Sequence, residues 1–162
     1  MSSVEISLRI FGELPPLHEL TQRLEVEPTT FLRRGEFISK RRIQPVDMWS
    51  LDLLRYESNN YESDDSEIDQ KWINVAWAIR RLSPAIAGLD RTQCKTDLYI
   101  STIREEDQGG VSLPSELISA AAAANLSIEV SILVMLDDND DDEEITTKVD
   151  GVAMLHPIEI AH

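Results

Sequence analysis

The sequence predicts an α+β fold: a mainly antiparallel sheet of four or five strands with helices on one face. Three observations carry this. Residues 3–11 and 126–136 alternate apolar and polar side chains, the period of a strand covered on one face only. Residues 67–86 carry apolar residues at helical spacing: Ile68, Trp72, Val75, Ile79, Leu82 and Ile86 follow one another at 4, 3, 4, 3, 4. The predicted order, β-α-β-α-β-α-β with a further C-terminal hairpin, mixes strands and helices within one domain spanning 1–162.

Taken in order, Val4, Ile6, Leu8 and Ile10 form the buried side of the first strand, which Gly12 ends. Pro15-Pro16 opens a helix to about Glu25, because proline suits a first turn. Its inner face is Leu17, Leu20 and Leu24, and Pro28-Thr29 breaks it. Residues 28–46 are irregular and basic. A second strand is expected over 47–55, with Trp49, Leu51 and Leu53 on one side and Ser50 and Asp52 on the other. Residues 57–65 are polar and read as an exposed loop.

The central helix is expected from Glu67, capped by Ser66 with Asp69 in the capping-box position, to Ile86. Pro84 falls in its last turn, and Gly88 is expected to supply a left-handed closing residue. A third strand fits 94–104, Gly109-Gly110 a turn, and Pro114–Ala124 a helix closed by Asn125. In the last long strand Leu126, Ile128, Val130, Ile132 and Val134 are expected to face inward. Residues 137–144 read as a mobile acidic loop. Ile145–Val149 and Val152–Leu155 flank Asp150-Gly151, a two-residue hairpin turn. Two parts rhyme: an alternating strand, then Leu14-Pro15 or Leu113-Pro114, then a helix.

The chain has 162 residues and is 42% hydrophobic, enough to bury a core without disulfides. A single cysteine, Cys94, excludes an internal disulfide and points to a reducing compartment. Glu5 and Arg9 interrupt the N-terminal apolar positions, so no signal-peptide segment is expected. No apolar run approaches the ~20 residues of a membrane span. The sequence is read as cytoplasmic, with no membrane partner.

The formal charge is −15, which opposes general affinity for nucleic acid. It is uneven. Residues 1–60 hold 9 acidic and 8 basic residues; 61–162 hold 21 and 7. The basic share gathers in Arg33, Arg34, Lys40, Arg41 and Arg42, the acidic share in 137–144. Such polarity speeds encounter with a charged partner.

Leu8-Arg9-Ile10-Phe11-Gly12, a short helix, Pro28-Thr29, Arg34-Gly35 and Trp49-Ser50-Leu51 together resemble the bacterial domain of unknown function family 4279. The resemblance covers 3–136 in outline, and its specific residues lie mostly before 55. It implies a small bacterial α+β domain and no known catalytic residues. Small acidic bacterial domains include immunity proteins, which block a toxin by binding it; that is an analogy of class.

No catalytic constellation emerges. The acidic run fails as a calcium loop. Starting from Asp137, position 6 is Asp142 and position 12 is Lys148; starting from Asp138 they are Glu143 and Val149, where glycine and glutamate are required. His18, His156 and His162 show no ligand spacing, so no metal or other cofactor is expected. Cys94 reads as a small buried residue rather than as a nucleophile paired with His18. Gly109-Gly110 lacks the lysine of a phosphate loop.

The candidate binding residues are therefore Arg33, Arg34, Lys40, Arg41 and Arg42, with Trp49 near them and Phe31 and Phe37 between. Arginines beside aromatics hold phosphates or acidic protein surfaces, or pair with the protein's own carboxylates. Trp77, five residues from Trp72 and so off the helix stripe, is either a flank of the core or an exposed anchor. The expected function is a non-enzymatic binding module, of the immunity type, for a protein partner, with a basic partner suited to the acidic surface. The alternative is a sensor of a small anion or nucleotide using residues 33–42.

Overall fold

The computed structural model describes residues 2–58, 65–105 and 111–135. The predicted Gly109-Gly110 turn, acidic loop, C-terminal hairpin, His156 and His162 lie outside them, as does most of the polar stretch 57–65. The elements run β1 (Ser2–Gly12), α1 (Leu17–Leu24), β2 (Thr30–Leu32), β3 (Phe37–Ser39), β4 (Arg42–Ile43), β5 (Asp47–Ser58), α2 (Asp65–Ala87), β6 (Cys94–Arg104), α3 (Ser115–Ala123) and β7 (Ser127–Val134).

Five strands form one sheet in the order β2-β5-β1-β6-β7. β1 pairs antiparallel with both β5 and β6, β2 pairs antiparallel with β5, and β6 pairs parallel with β7. Because β1 opposes both neighbours, β5 and β6 point the same way. Parallel strands need a crossover, and α2 supplies it from β5 to β6, as α3 does from β6 to β7. The two crossovers advance in one direction, so a common handedness puts both helices on one face. The α+β class and the mainly antiparallel sheet are as expected.

The core lies between that face and the helices. Ile6, Leu8 and Ile10 of β1 meet the α2 stripe of Trp72, Val75, Ile79, Leu82 and Ile86. All six residues singled out on α2 pack inward, with Ile68 partly buried at the start. The alanines of α3 let its backbone approach closely, and Ala120, Ala121 and Ala124 are buried with Leu117. Each fully buried Ile or Leu contributes about 1.5–3 kcal/mol. Gly12 ends β1 because nothing larger fits: its φ is +136°, and a Cβ there would sit 2.4 Å from the Gln93 carbonyl oxygen.

Four expectations require correction. The strand over 47–55 does not alternate regularly, because its pairing with β1 shifts between Ile6 and Ser7. Trp49 and Leu51 oppose Ile10 and Leu8, but Leu54 and Tyr56, not Leu53, oppose Ile6 and Val4. One extra residue shifts the register, and Leu53 and Leu54 both pack against the core. The segment 28–46 is not simply irregular: it holds β2, β3 and β4. Gly88 does not take the left-handed conformation; it closes α2 by donating its N–H to the Pro84 and Ala85 carbonyls. Asn125, at φ 55°, does close α3 as expected. Lastly, Val130, Ile132 and Val134 of β7 are exposed, because among the described residues β7 lies at the sheet edge beyond the cover of α3.

Candidate functional site

The basic segment folds as a hairpin standing off the main sheet. β3 and β4 pair only with each other, through Phe37 opposite Ile43 and Ser39 opposite Arg42, with Lys40 and Arg41 at the turn. At its base Gly35, in the left-handed region at φ +88°, donates its N–H to the Gln44 carbonyl at 2.9 Å. Gln44 donates back to Glu36 at 2.8 Å, and its buried side chain donates to the Val46 carbonyl at 2.9 Å.

One carboxylate fastens this base to the rest of the fold. Asp47 Oδ1 accepts the Arg34 N–H at 2.8 Å. Asp47 Oδ2 accepts the Leu14 N–H at 3.2 Å and the Arg33 guanidinium at 3.1 Å. Arg33 also donates to the Leu14 and Pro15 carbonyls and lies over the Phe31 ring at 4.7 Å. Burial pushes the Asp47 carboxyl up. The N–H groups of Arg34 and Leu14 and the Arg33 charge outweigh that and hold it below its usual value.

The five predicted cations thus divide. Arg33 is a structural residue, taken up by Asp47 and two carbonyls. Among the described residues, no carboxylate bonds to the side chains of Arg34, Lys40, Arg41 or Arg42, all of which are exposed. They share the hairpin with exposed apolar groups. Phe37 is 75% exposed, and Ile38, Ile43 and Val46 are exposed too.

Trp49 does not join this surface. It is fully buried in the core, opposite Ile10 on one side and Phe31 on the other. Its indole N–H has no hydrogen-bond partner among the described residues. Trp77 is 62% exposed on the solvent side of α2, a different element from the hairpin.

Two features of the surface escaped the sequence reading. The first is a cavity of about 420 Å3 at the hairpin base, lined by Gly12, Glu13, Arg34, Val46, Asp47, Thr92 and Gln93. It joins the end of β1 to the residues before β6, which only the fold brings together. The second is a polar cluster on the helix-free face of the sheet. Arg9 donates from Nε to Asp97 Oδ1 at 2.8 Å, and from Nη2 to Asp97 Oδ2 at 2.5 Å and Glu129 at 3.2 Å. Its guanidinium lies 4.2 Å from the Tyr99 ring centre. The hydrogen bond donated to Asp97 raises the Arg9 pKa, and burial opposes it less strongly. The signal in sequence was a lone cation on the outward side of an alternating strand, which does not specify its partner across the sheet.

Cys94 is buried, and its Sγ–H donates to the Asp90 carbonyl at 3.3 Å. Burial pushes the thiol up, the Arg91 charge opposes this, and Asp90 adds to it. His18 stands exposed on α1. Among the described residues no three His, Cys, Asp or Glu side chains gather as a metal site, and no helix is long and apolar enough to cross a membrane.

A family model described as a domain of unknown function, DUF4279, matches residues 2–135, from the start of β1 to the residue after β7. No curated protein and no solved structure matches the chain.

Proposed function

This chain belongs to the DUF4279 family, and from that premise we propose that it is a non-enzymatic protein-binding module that docks through the β3–β4 hairpin. The observation that carries this is the hairpin's surface: an exposed Phe37–Ile43 cross-strand pair beside four cations unpaired among the described residues. An exposed aromatic supplies contact area at small entropic cost, and the surrounding cations supply steering and register. Residues 33–42 carry five positive charges and one negative, Glu36, in a chain whose net charge is −15.

The net charge favours a basic partner, but the hairpin favours an acidic patch at the contact itself. Charges farther apart than the Debye length, ~8 Å at physiological ionic strength, are largely screened. A projecting element is therefore read by its own charges. An immunity-type inhibitor, which acts by occupying its target, is one role that such a surface serves in cytoplasm.

The anion-sensor reading has one supporting feature, the cavity beside Arg34. Glu13 and Asp47 line the same cavity, and Asp47 already binds Arg33 at 3.1 Å. Glu13 offsets the charge of Arg34 in that lining, and buried Trp49 offers an anion no stacking surface. The hairpin reading is the stronger.

The test is co-purification with quantitative mass spectrometry, comparing wild type with Phe37→Ala and with the triple reversal Lys40→Glu, Arg41→Glu, Arg42→Glu. All four positions are exposed, so the fold should stand. Proteins retained by wild type, and lost from both variants, are expected. Identical sets from all three chains would sink the proposal.

A further inference from the structure

The free edge of β7 presents a second surface, independent of the hairpin. β7 pairs with β6 on one side and with no strand on the other among the described residues. Exposed edge strands are normally guarded by lysine, proline, a bulge or an inward-pointing charge. β7 has none of these. Its eight residues are Ser-Ile-Glu-Val-Ser-Ile-Leu-Val, with one charge, Glu129. That charge already bonds to Arg9 of this chain at 3.2 Å. Ile132 is 49% exposed and Leu133 54%, with Val130, Val134 and Met135 exposed beside them.

We propose that β7 pairs antiparallel with β7 of a second copy of this chain, joining two five-stranded sheets into one of ten. The sequence of β7 is self-complementary in that arrangement. Pairing centred on Ser131 sets Val130 opposite Ile132 of the second copy, and Ile128 opposite its Val134. On the other face Glu129 meets Leu133, so no like charges oppose each other. The apolar residues left uncovered by α3 then cover one another as cross-strand β-branched pairs.

The charge of the copies selects the same orientation. In sequence, Met135 is followed by seven acidic residues within 137–144. Antiparallel pairing puts the two Met135 residues at opposite ends of an eight-residue strand, about 26 Å apart at ~3.3 Å per residue. That is about three Debye lengths at physiological ionic strength. A parallel pair would bring the two Met135 residues together. The family match spans 2–135 and ends at this edge, so the edge belongs to the shared domain while the following 27 residues lie outside the match. An occupant supplied by the domain itself is a second copy.

Sedimentation velocity on the full chain from 1 to 100 µM, at 0.05 and 0.5 M NaCl, tests this. A species of twice the 18.3 kDa chain mass is expected. Its dissociation constant should fall at least threefold at the higher salt, as repulsion between two chains of net charge −15 is screened. Ile132→Lys and Val130→Lys place a charge at exposed positions, so each should leave the circular dichroism unchanged and yield a monomer. Ile118→Lys, on the exposed side of α3, should remain a dimer. A wild-type monomer at 100 µM overturns the proposal. If hydrogen exchange finds the β7 amides that point away from β6 protected in that monomer, the edge is instead covered by the chain's own residues beyond 135. A dimer that survives both β7 lysines also overturns it.

Discussion

The Asp47 carboxylate and the Arg33 guanidinium, 3.1 Å apart, lock the base of an exposed hairpin onto the loop between the first strand and the first helix. The pair does more than neutralise two charges. Asp47 also takes the backbone N–H groups of Leu14 and Arg34, so one side chain holds three chain segments in place. Arg33 consequently belongs to the scaffold, and the hairpin's display of Phe37 and Lys40–Arg42 depends on Asp47.

Asp47→Asn should therefore cost about 1–3 kcal/mol, the range for losing charge-assisted hydrogen bonds. The effect should depend on pH. The folded carboxyl lies below its unfolded value, so its contribution is complete above the unfolded pKa, ~3.9. It is lost as pH falls through the folded value. Urea denaturation at pH 7 and at pH 3 should find the difference between wild type and variant smaller at pH 3. A constant difference would contradict the role assigned to the charge.

On the helix-free face, two carboxylates contact Arg9 and should differ in weight. The Asp97 side chain is 6% exposed and that of Glu129 is 63% exposed. Removing one member of a desolvated pair strands the other, at about 3–5 kcal/mol. Arg9 retains some solvent contact, so Asp97→Ala should fall at or below the low end of that range. Glu129→Ala should cost under about 1 kcal/mol, as exposed pairs do. A double-mutant cycle with Arg9→Ala checks the ranking, which equal couplings would refute.

Trp49→Ala should cost about 3–5 kcal/mol through the lost packing of a large aromatic residue. Trp49→Phe should cost much less than its loss of volume suggests. It deletes a buried N–H without a partner among the described residues, and such a group carries a penalty of about 1–3 kcal/mol. A Phe variant as unstable as the Ala variant would mean that the indole N–H is satisfied in solution.

Cys94 should resist alkylation in the folded protein. Its burial and raised pKa leave almost no accessible thiolate at pH 7. Iodoacetamide labelling should follow the urea unfolding transition. Rapid labelling in buffer alone would contradict the buried assignment.

Much of the fold was legible because period and length are local properties. The 4, 3, 4, 3, 4 spacing over residues 68–86 specifies one helix face, and Ile6, Leu8 and Ile10 specify one strand face, whatever covers them. The short strands β2, β3 and β4 were not legible, because two or three residues cannot display a period. Nor was the shift in β5 pairing, which arises from fitting Leu54 rather than Leu53 against Ile6.

The candidate site divides along the same line. The sequence alone determined that five cations cluster with aromatics between 31 and 42, since neighbours in a short segment remain neighbours in space. Which of them are available was decided only by the tertiary structure. Arg33 was withdrawn by Asp47, fourteen residues away, and Trp49 by the core, while Phe37 was left in water. For β7 the alternation was read correctly, yet its inward face lies open. Periodicity states which side chains share a face; only packing against other elements decides whether that face is buried, because cover comes from residues distant in the chain.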